Sequence, residues 1–555
     1  MSFALSSGVS GLQAHQKMLD VAGNNLANVD STAFKASRIN FAELLSQTLK
    51  KASQPTSGLG GTNPQQIGSG VGVAGITPDM SQGNIVNTGN PLDLALEGEG
   101  YFVLSDGSQS YYTRAGAFAV DKDSTLVDPT TGYRVQRIGS VGESDGFQQP
   151  TDNTVHLPYD VTLPAKATST ITISGNLSSD AALDTPQTQK LSSNIGYTYN
   201  NGVTAASTTQ LDQLDQFTGT LTSGTITIAG YNKAGTALSS GLTLAVDGST
   251  TLGDLVDHLN TNVLTDSTAS LVNGKIVVTD NTSGYSKTDL SMSYSGDGKL
   301  KMPGYFEMLT VGGSEVKPVN IAAFDSLGGS HTLAGAFVKT DTANTWDMVL
   351  SSVTGDVSSL SMTNRWVKGI TFNPSDGGSY LGTSGTGIPQ FKVAFAYDPS
   401  NEQAIALNFG TTGKLDGLTQ FAGTSTAVAR DQDGYGSGRL SSVSINNDGI
   451  VVGAFSNGIK KNIATLQIAL FQNAAGLEST GNGYFTPSGN SGDAVATQAM
   501  SGGAGGVHGG ALEKSNADVA TEFVNLIQAQ NGYQANARTI KVATDILKEL
   551  SNLIA

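Results

Sequence analysis

At both ends of the 555-residue chain, apolar residues recur at every seventh position. Val519, Leu526, Tyr533, Ile540, Leu547 and Ile554 form one ladder, and Leu5, Leu12, Leu19 and Leu26 form the other. A seven-residue spacing keeps one stripe of a helix facing a partner helix. It predicts a first helix over about 2–28, with Val9 on its stripe, and a last helix of about 40 residues opening at Ser515 or Asn516 as N-cap. Two helices with apolar stripes and no third layer cannot bury those stripes alone, so they are expected to meet each other and neighbouring copies. Gly8, Gly11 and Gly23 weaken the first helix, each by up to ~1 kcal/mol relative to alanine, and in isolation it should fray. Asn24, Asn25 and Asn28 near its end suit a helix terminus or a polar contact across a helix interface.

Between the ladders the pattern changes to short alternating runs broken by glycine turns. Residues 29–90 are loosely patterned, with a short amphipathic piece over 39–49 and a Gly/Ser/Thr/Pro-rich stretch over 53–75. Strands are expected from about Leu92: Leu94–Leu96, Tyr101–Leu104 and Tyr111–Thr113. The β style continues for some 280 residues beyond Gly139 and resumes at 443–445 and 463–471. Inside it, 211–298 reads as an inserted α+β module. Its elements are a strand at Thr225–Ile228, a helix at Leu252–Leu259 and strands at Lys275–Val278 and Leu290–Ser293.

Composition narrows the class. Charged residues make up 14% of the chain, against roughly a quarter in ordinary soluble proteins. The net charge of −16 argues against a nucleic-acid surface. Cysteine is absent, which excludes disulfides, thiolate metal sites and cysteine nucleophiles. The N-terminal MSFALSSGVSGLQ has neither the basic region nor the apolar run of a secretory signal. No window of about 18 apolar residues predicts membrane insertion. Two readings remain: a cytoplasmic protein, or export by a route that reads no cleaved signal.

Candidate chemistry is sparse. His15, His156, His258, His331 and His508 are dispersed, without metal-ligand spacing. Asp121–Asp123 and Asp431–Gly434 hint at calcium loops but lack the later bidentate carboxylate, so turn acids are expected. Glu97 and Glu99 would share one strand face, the geometry of paired-carboxylate catalysis, yet solvated acids in a glycine-flanked turn are the simpler reading. Gly70–Gly75 spells G-x-G-x-x-G, but Ile76-Thr77-Pro78 follows where a helix would have to open, so a glycine-rich connector is expected. No catalytic, cofactor or metal site is predicted, and the chain is read as non-enzymatic.

Asn24-Asn25-Leu26-Ala27-Asn28-Val29 with Phe34-Lys35 resembles the N-terminal signature of the bacterial flagellar rod and hook axial proteins, and Tyr533-Gln534-Ala535-Asn536 is similar to their C-terminal signature. Gln82–Asn84, Pro91–Leu96, Gly98–Phe102 and Tyr112–Phe118 extend the resemblance. Phe324–His331, Leu418–Phe421 and Phe455–Gly458 are similar to the hook branch of that family. Ala33 stands where the family usually has glycine, which raises the expectation of a continuing helix there. Asn531 stands in place of a common arginine.

The resemblance implies a mainly β, multidomain chain with nested discontinuous domains and a coiled-coil layer formed by the two termini. The expected division is 1–28 with 515–555 as the helical domain, 29–90 as linker, and 91–145 with 418–500 as an inner β domain. An outer β domain takes 146–205 with 311–417, an outermost inserted α+β domain takes 206–310, and 501–514 is a Gly-rich connector. The implied function is a structural subunit of a helical homopolymer, a curved tube acting as a universal joint around a central export channel. Implied partners are rod, hook-cap and hook–filament junction proteins and the type III export apparatus, with no cofactor and an extracellular place on the flagellum. A junction or distal rod protein and a self-assembling surface adhesin are the alternatives. The residues expected in the helical assembly core are Leu5, Val9, Leu12, Leu19, Asn24, Asn25, Leu26, Asn28, Val519, Leu526, Tyr533, Gln534, Asn536, Ile540, Leu547 and Ile554.

Overall fold

In the computed structural model, which describes residues 3–180, 185–239, 242–385 and 387–554, three α-helices interrupt a chain built of strands. They are α1 (Phe3–Ala27), α2 (Leu252–His258) and α3 (Val519–Ile554). The chain forms two units, Met1–Leu163 with Gly438–Ala555, and Pro164–Ser437.

The first unit carries α1 and α3. Asn28 closes α1, donating its backbone N–H (3.2 Å) and Nδ2 (2.9 Å) to the Asn24 carbonyl. The chain then turns rather than continuing as helix. Ala33 is buried with φ at +55°, and its N–H donates to the Glu513 carbonyl at 2.8 Å. The left-handed backbone costs an alanine about 1–2 kcal/mol, which that hydrogen bond and the buried setting offset. At the other end α3 opens at Val519, two residues later than an N-cap at Asn516 would place it and three later than one at Ser515. Asp518 is the cap, accepting from the Ala520 N–H (3.0 Å) and the Thr521 hydroxyl (2.8 Å).

Residues 29–90, expected as linker, contain a ribbon of strands. Ser37–Glu43 pairs antiparallel with Val71–Pro78, and Ser46–Lys50 with Gln65–Gly68. Both faces of the ribbon are largely open to solvent, so its patterning is weak: the 39–49 piece read as amphipathic is its first two strands and their connection, and 53–75 shows little apolar signal. The glycine-rich 70–75 segment is accordingly mostly strand. Ile85–Asn87 pairs with Ala511–Glu513, and Leu94–Glu97 with Gly506–Gly509, so the expected 501–514 connector is also partly strand. Tyr101–Ser105 lies at the centre of this unit, pairing with Ser110–Thr113, Arg134–Val135 and Ile468–Leu470. Tyr101, Val103, Tyr112, Ala469, Leu477 and Phe485 form a core beneath it.

The second unit is organised by an 11-stranded sheet. Thr170–Ser178 pairs in parallel with both Gln403–Asn408 and Leu418–Phe421, and antiparallel with Val428–Gln432. Residues 418–432 therefore belong here and not with the inner domain, while 146–163 lie with the first unit. Parallel pairing across some 240 residues leaves no local trace in the sequence. The inserted module has its expected elements, with α2 opened by a capping box between Thr251 and Asp254. Its margins are wider than 206–310. Lys190–Ser193 joins Lys275–Asp280 to Phe306–Thr310, and Leu191, Phe306, Val349 and Trp366 share one core with Ile226 and Leu255. Arg365, fully buried, ties the module to the sheet. It pairs with Asp289 at 3.2 Å and donates to the Phe306 and Leu350 carbonyls.

Asp431, expected in a turn, lies inside the Val428–Gln432 strand, and Asp433 sits in the bend just beyond it, against the start of Thr170–Ser178. Asp433 accepts from the backbone N–H groups of Ser169 (2.8 Å) and Thr170 (2.9 Å), the Ser169 hydroxyl (2.6 Å) and Lys166 Nζ (3.0 Å). Burial works against its charged form, but these donors outweigh it and hold the carboxyl well below the usual carboxylate range. The folded state therefore binds this proton more weakly than the unfolded chain. Asp433 stabilises fully above about pH 5, and that contribution is lost as the pH falls through the acid range. Asp433→Asn should lower stability at neutral pH and flatten the loss on acidification. Urea melts at neutral and acid pH read both, and an acid loss as steep as the parent's would contradict the assignment.

Candidate functional site: the paired terminal helices and their anchor

α1 and α3 run antiparallel. Gly8 lies against Ile540, Gly11 against Asn536, His15 against Gly532, and Asn25 against Glu522. A Cβ on Gly11 would come 2.7 Å from Asn536 Nδ2, and one on Gly8 would come 3.0 Å from Ile540 Cγ1. The buried face of α1 is Gly8, Gly11, Ala14, Ala22 and Asn25. Opposite it on α3, Glu522, Ala529, Asn536 and Ala543 repeat every seven residues, all buried except the half-buried Asn536. Small residues thus let the backbones approach, and a heptad is present, but not the apolar one. The glycines expected to weaken α1 are what its packing requires, except Gly23, which has nothing near it.

The hydrophobic ladders flank this seam. Leu5, Leu12, Leu19, Leu26, Leu526 and Ile540 are half-buried. Val9, Val519, Tyr533, Gln534 and Leu547 are exposed, and the Ile554 side chain lies outside the described residues. Of the asparagines, Asn24 and Asn28 finish α1, while Asn536 donates to the Gly532 carbonyl at 2.9 Å. Asn25 is buried and reads the departing chain like a strand partner: its Nδ2 donates to Ser37 O (2.8 Å) and its Oδ1 accepts from Ser37 N (2.9 Å). The same Nδ2 reaches Glu522 Oε1 at 3.0 Å. Asn516 does likewise before α3, accepting from Ala36 N (2.8 Å) and donating to Asp79 O (2.8 Å).

Below the helices lies a buried charge cluster. Lys35 Nζ sits 2.7 Å from Glu513 Oε1 and 2.7 Å from the Ser81 carbonyl, and Gly83 N donates to the same Glu513 oxygen at 2.8 Å. Arg114 Nη1 stands 3.6 Å from Glu513 Oε2, its Nη2 donates to Gly98 O at 2.7 Å, and its guanidinium lies 5.4 Å from the Tyr101 ring centroid. Burial pulls the Lys35 pKa below its ordinary value, and Glu513 works the other way. Lys35 arrives from the end of α1, Glu513 from the strand before α3, and Arg114 from the central sheet. One carboxylate therefore gathers both chain ends onto the β unit. Lys35 and Arg114 lie in segments that drew notice in the sequence; Glu513 had no signal beyond preceding the last helix.

The other candidates fall apart as sites. The five histidines occupy five separate places: His15 faces Gly532, His156 lies 3.6 Å from Asp160, His258 meets Asn262, His331 meets Asp325, and His508 meets Glu97. Glu97 ends a strand and pairs with His508, so it does not form a carboxylate pair with Glu99. Asp121 caps its own turn through Asp123 N and Thr125 N. Among the described residues, no group of three or more His, Asp or Glu could hold a metal ion, and no helix is long and apolar enough to cross a membrane.

Four family models match the chain in order. They are flagella basal body rod protein over 5–35, flagellar hook protein FlgE/F/G D1 domain over 95–178, flagellar basal body protein FlaE D2 domain over 314–435, and flagellar basal body rod FlgEFG protein C-terminal over 508–553. The chain is similar along its whole length to curated proteins named flagellar hook protein FlgE. The Borreliella burgdorferi protein is 30% identical over 560 residues, covering 100% of both chains, and that of Treponema pallidum is 30% identical over 562 residues with the same coverage. The Escherichia coli protein is 28% identical, over 99% of this chain and 100% of its own.

The charge cluster predicts an ordered pair of stabilities. Glu513→Gln leaves two buried cations without their anion and should cost about 3–5 kcal/mol. Lys35→Met leaves Glu513 with Arg114 and the Gly83 N–H, and should cost less. Urea melts of the two variants test this, and a larger loss for Lys35→Met would contradict the central place given to Glu513.

Proposed function

The chain belongs to the flagellar hook protein family, and we propose that its paired terminal helices are the inner core of the polymer it builds. It is a structural subunit of the bacterial flagellar hook, the curved, flexible tube that passes torque from rod to filament around a central channel. The observation that carries the helical-core reading is the outward face of the helical pair. Phe523, Val524, Ile527, Val542 and Ile546 on α3 are all more than half exposed, and Phe3 and Val9 on α1 are exposed too. Apolar surface of that extent marks an association site. Copies of the chain cover it, through a head-to-tail contact that does not close into a ring and so extends as a helix.

Within that core the assembly residues divide by task. Val9, Val519, Tyr533, Gln534 and Leu547 face neighbouring copies. Leu5, Leu12, Leu19, Leu26, Leu526 and Ile540 complete both the seam and its rim, and Asn24, Asn25, Asn28 and Asn536 shape the pair itself. Leu45 and Leu59 on the 37–78 ribbon, the most exposed large apolar residues among those described, add a second contact surface. The β units form the outer layers. A chain with 14% charged residues presents polar surface that can exchange weak contacts as the tube bends, with no strong salt bridge holding one register.

The family is a structural one, and we read this chain as non-enzymatic and without cofactor. Rod, hook-cap and hook–filament junction proteins are its expected neighbours, and the flagellar type III apparatus its route to the cell exterior. A distal rod or junction protein is the second reading; the whole-length similarity to hook proteins favours the first.

A chain lacking residues 1–28 and 515–555 keeps Lys35, Arg114 and Glu513, so its β units should still fold. Negative-stain electron microscopy should show tubes from the full-length protein and none from the shortened one. Tubes from both would place the polymer contacts in the β units and overturn the helical-core reading.

A further inference from the structure

In the second unit a cleft of about 950 Å³ opens between the inserted module and the sheet strands that follow it. Six of its sixteen lining residues are charged, against 14% of the chain, and eight more carry a hydroxyl or amide. Most ligand pockets are mainly apolar; this lining mixes polar and apolar surface about evenly, which suits a ligand that carries many polar groups on an apolar frame.

Its floor is built rather than incidental. Asp347 is 3% exposed, and its carboxylate accepts from the Tyr285 hydroxyl and, at 2.8 Å, from the Gly369 N–H. Lys287 Nζ stands 5.2 Å from the Tyr285 ring centroid. Lys233 is occupied by the Thr282 and Ser283 carbonyls at 2.7 and 2.8 Å. Lys287 and Lys368 form no ion pair among the described residues, so two lysines on the cleft's lining have ammonium donors to spare.

Three lysines and three aspartates leave the lining with no formal charge. It therefore offers no field to gather a polyanion. It matches a molecule with an isolated negative group among many hydroxyls. We propose that this cleft binds an acidic sugar, a carboxylate-bearing unit of an oligosaccharide. Lys287 and Lys368 hold the sugar carboxylate, Asp341 and the cleft's threonines take its hydroxyls, and the Tyr285–Asp347 pair keeps the floor rigid. This assigns the inserted module a ligand, and it does not depend on how the chain polymerises.

The test uses the full-length protein and calorimetric titration with trigalacturonate, sialyllactose, neutral maltotriose and inorganic phosphate. Saturable binding of at least one acidic sugar, weakening with added salt, is expected. A Lys287→Gln/Lys368→Gln variant with an unchanged melting temperature should bind about tenfold more weakly or worse. The proposal is overturned if neither acidic sugar binds, if maltotriose or phosphate binds as well as they do, or if the double variant binds like the parent.

Discussion

One buried carboxylate, Glu513, decides how the ends of this chain meet its body. A charge in a dry interior persists only when its partners make up for lost water. Here they are the Lys35 ammonium and the Gly83 N–H on one oxygen and the Arg114 guanidinium near the other. Those partners come from three distant stretches of sequence, so the cluster can form only when the exit from α1, the entry to α3 and the central strands are all in place. Asn25 and Asn516 extend the same logic outward, each holding backbone that leaves or approaches a helix.

Above that anchor, the choice of residues on the helix seam determines what is left for neighbours. Glycine and alanine bring the two backbones together and use little apolar surface in doing so. Larger apolar side chains are thereby displaced to the rim and outer face, where a lone subunit cannot cover them. A leucine-filled seam would make a self-sufficient hairpin. A glycine-lined seam makes a pair that keeps apolar surface exposed, and the proposed helical core rests on that surface.

The existence of both helices was legible, because a seven-residue apolar repeat is a strong local signal. Their contact face was not, since hydropathy ranks leucine above glycine whereas close approach selects the reverse. The 37–78 ribbon was legible only as a short amphipathic piece over 39–49, because neither of its faces is buried and period-two patterning stays weak. The crossings near Leu163 and Gly438 depend on Thr170–Ser178 pairing with strands more than 200 residues away, and no window of sequence reports that. Lys35 and Arg114 could be found through motif resemblance. Glu513, the group they share, became visible only in three dimensions.

The central claim is that the seam serves the subunit and the outer face serves the polymer. Hydroxyl-radical footprinting of monomers and assembled tubes, read by mass spectrometry, separates the two. The account predicts strong protection on assembly at Phe523, Ile527, Tyr533 and Ile546, with little change at Met18 and Ile540. Equal labelling of the α3 outer face in both states would contradict it.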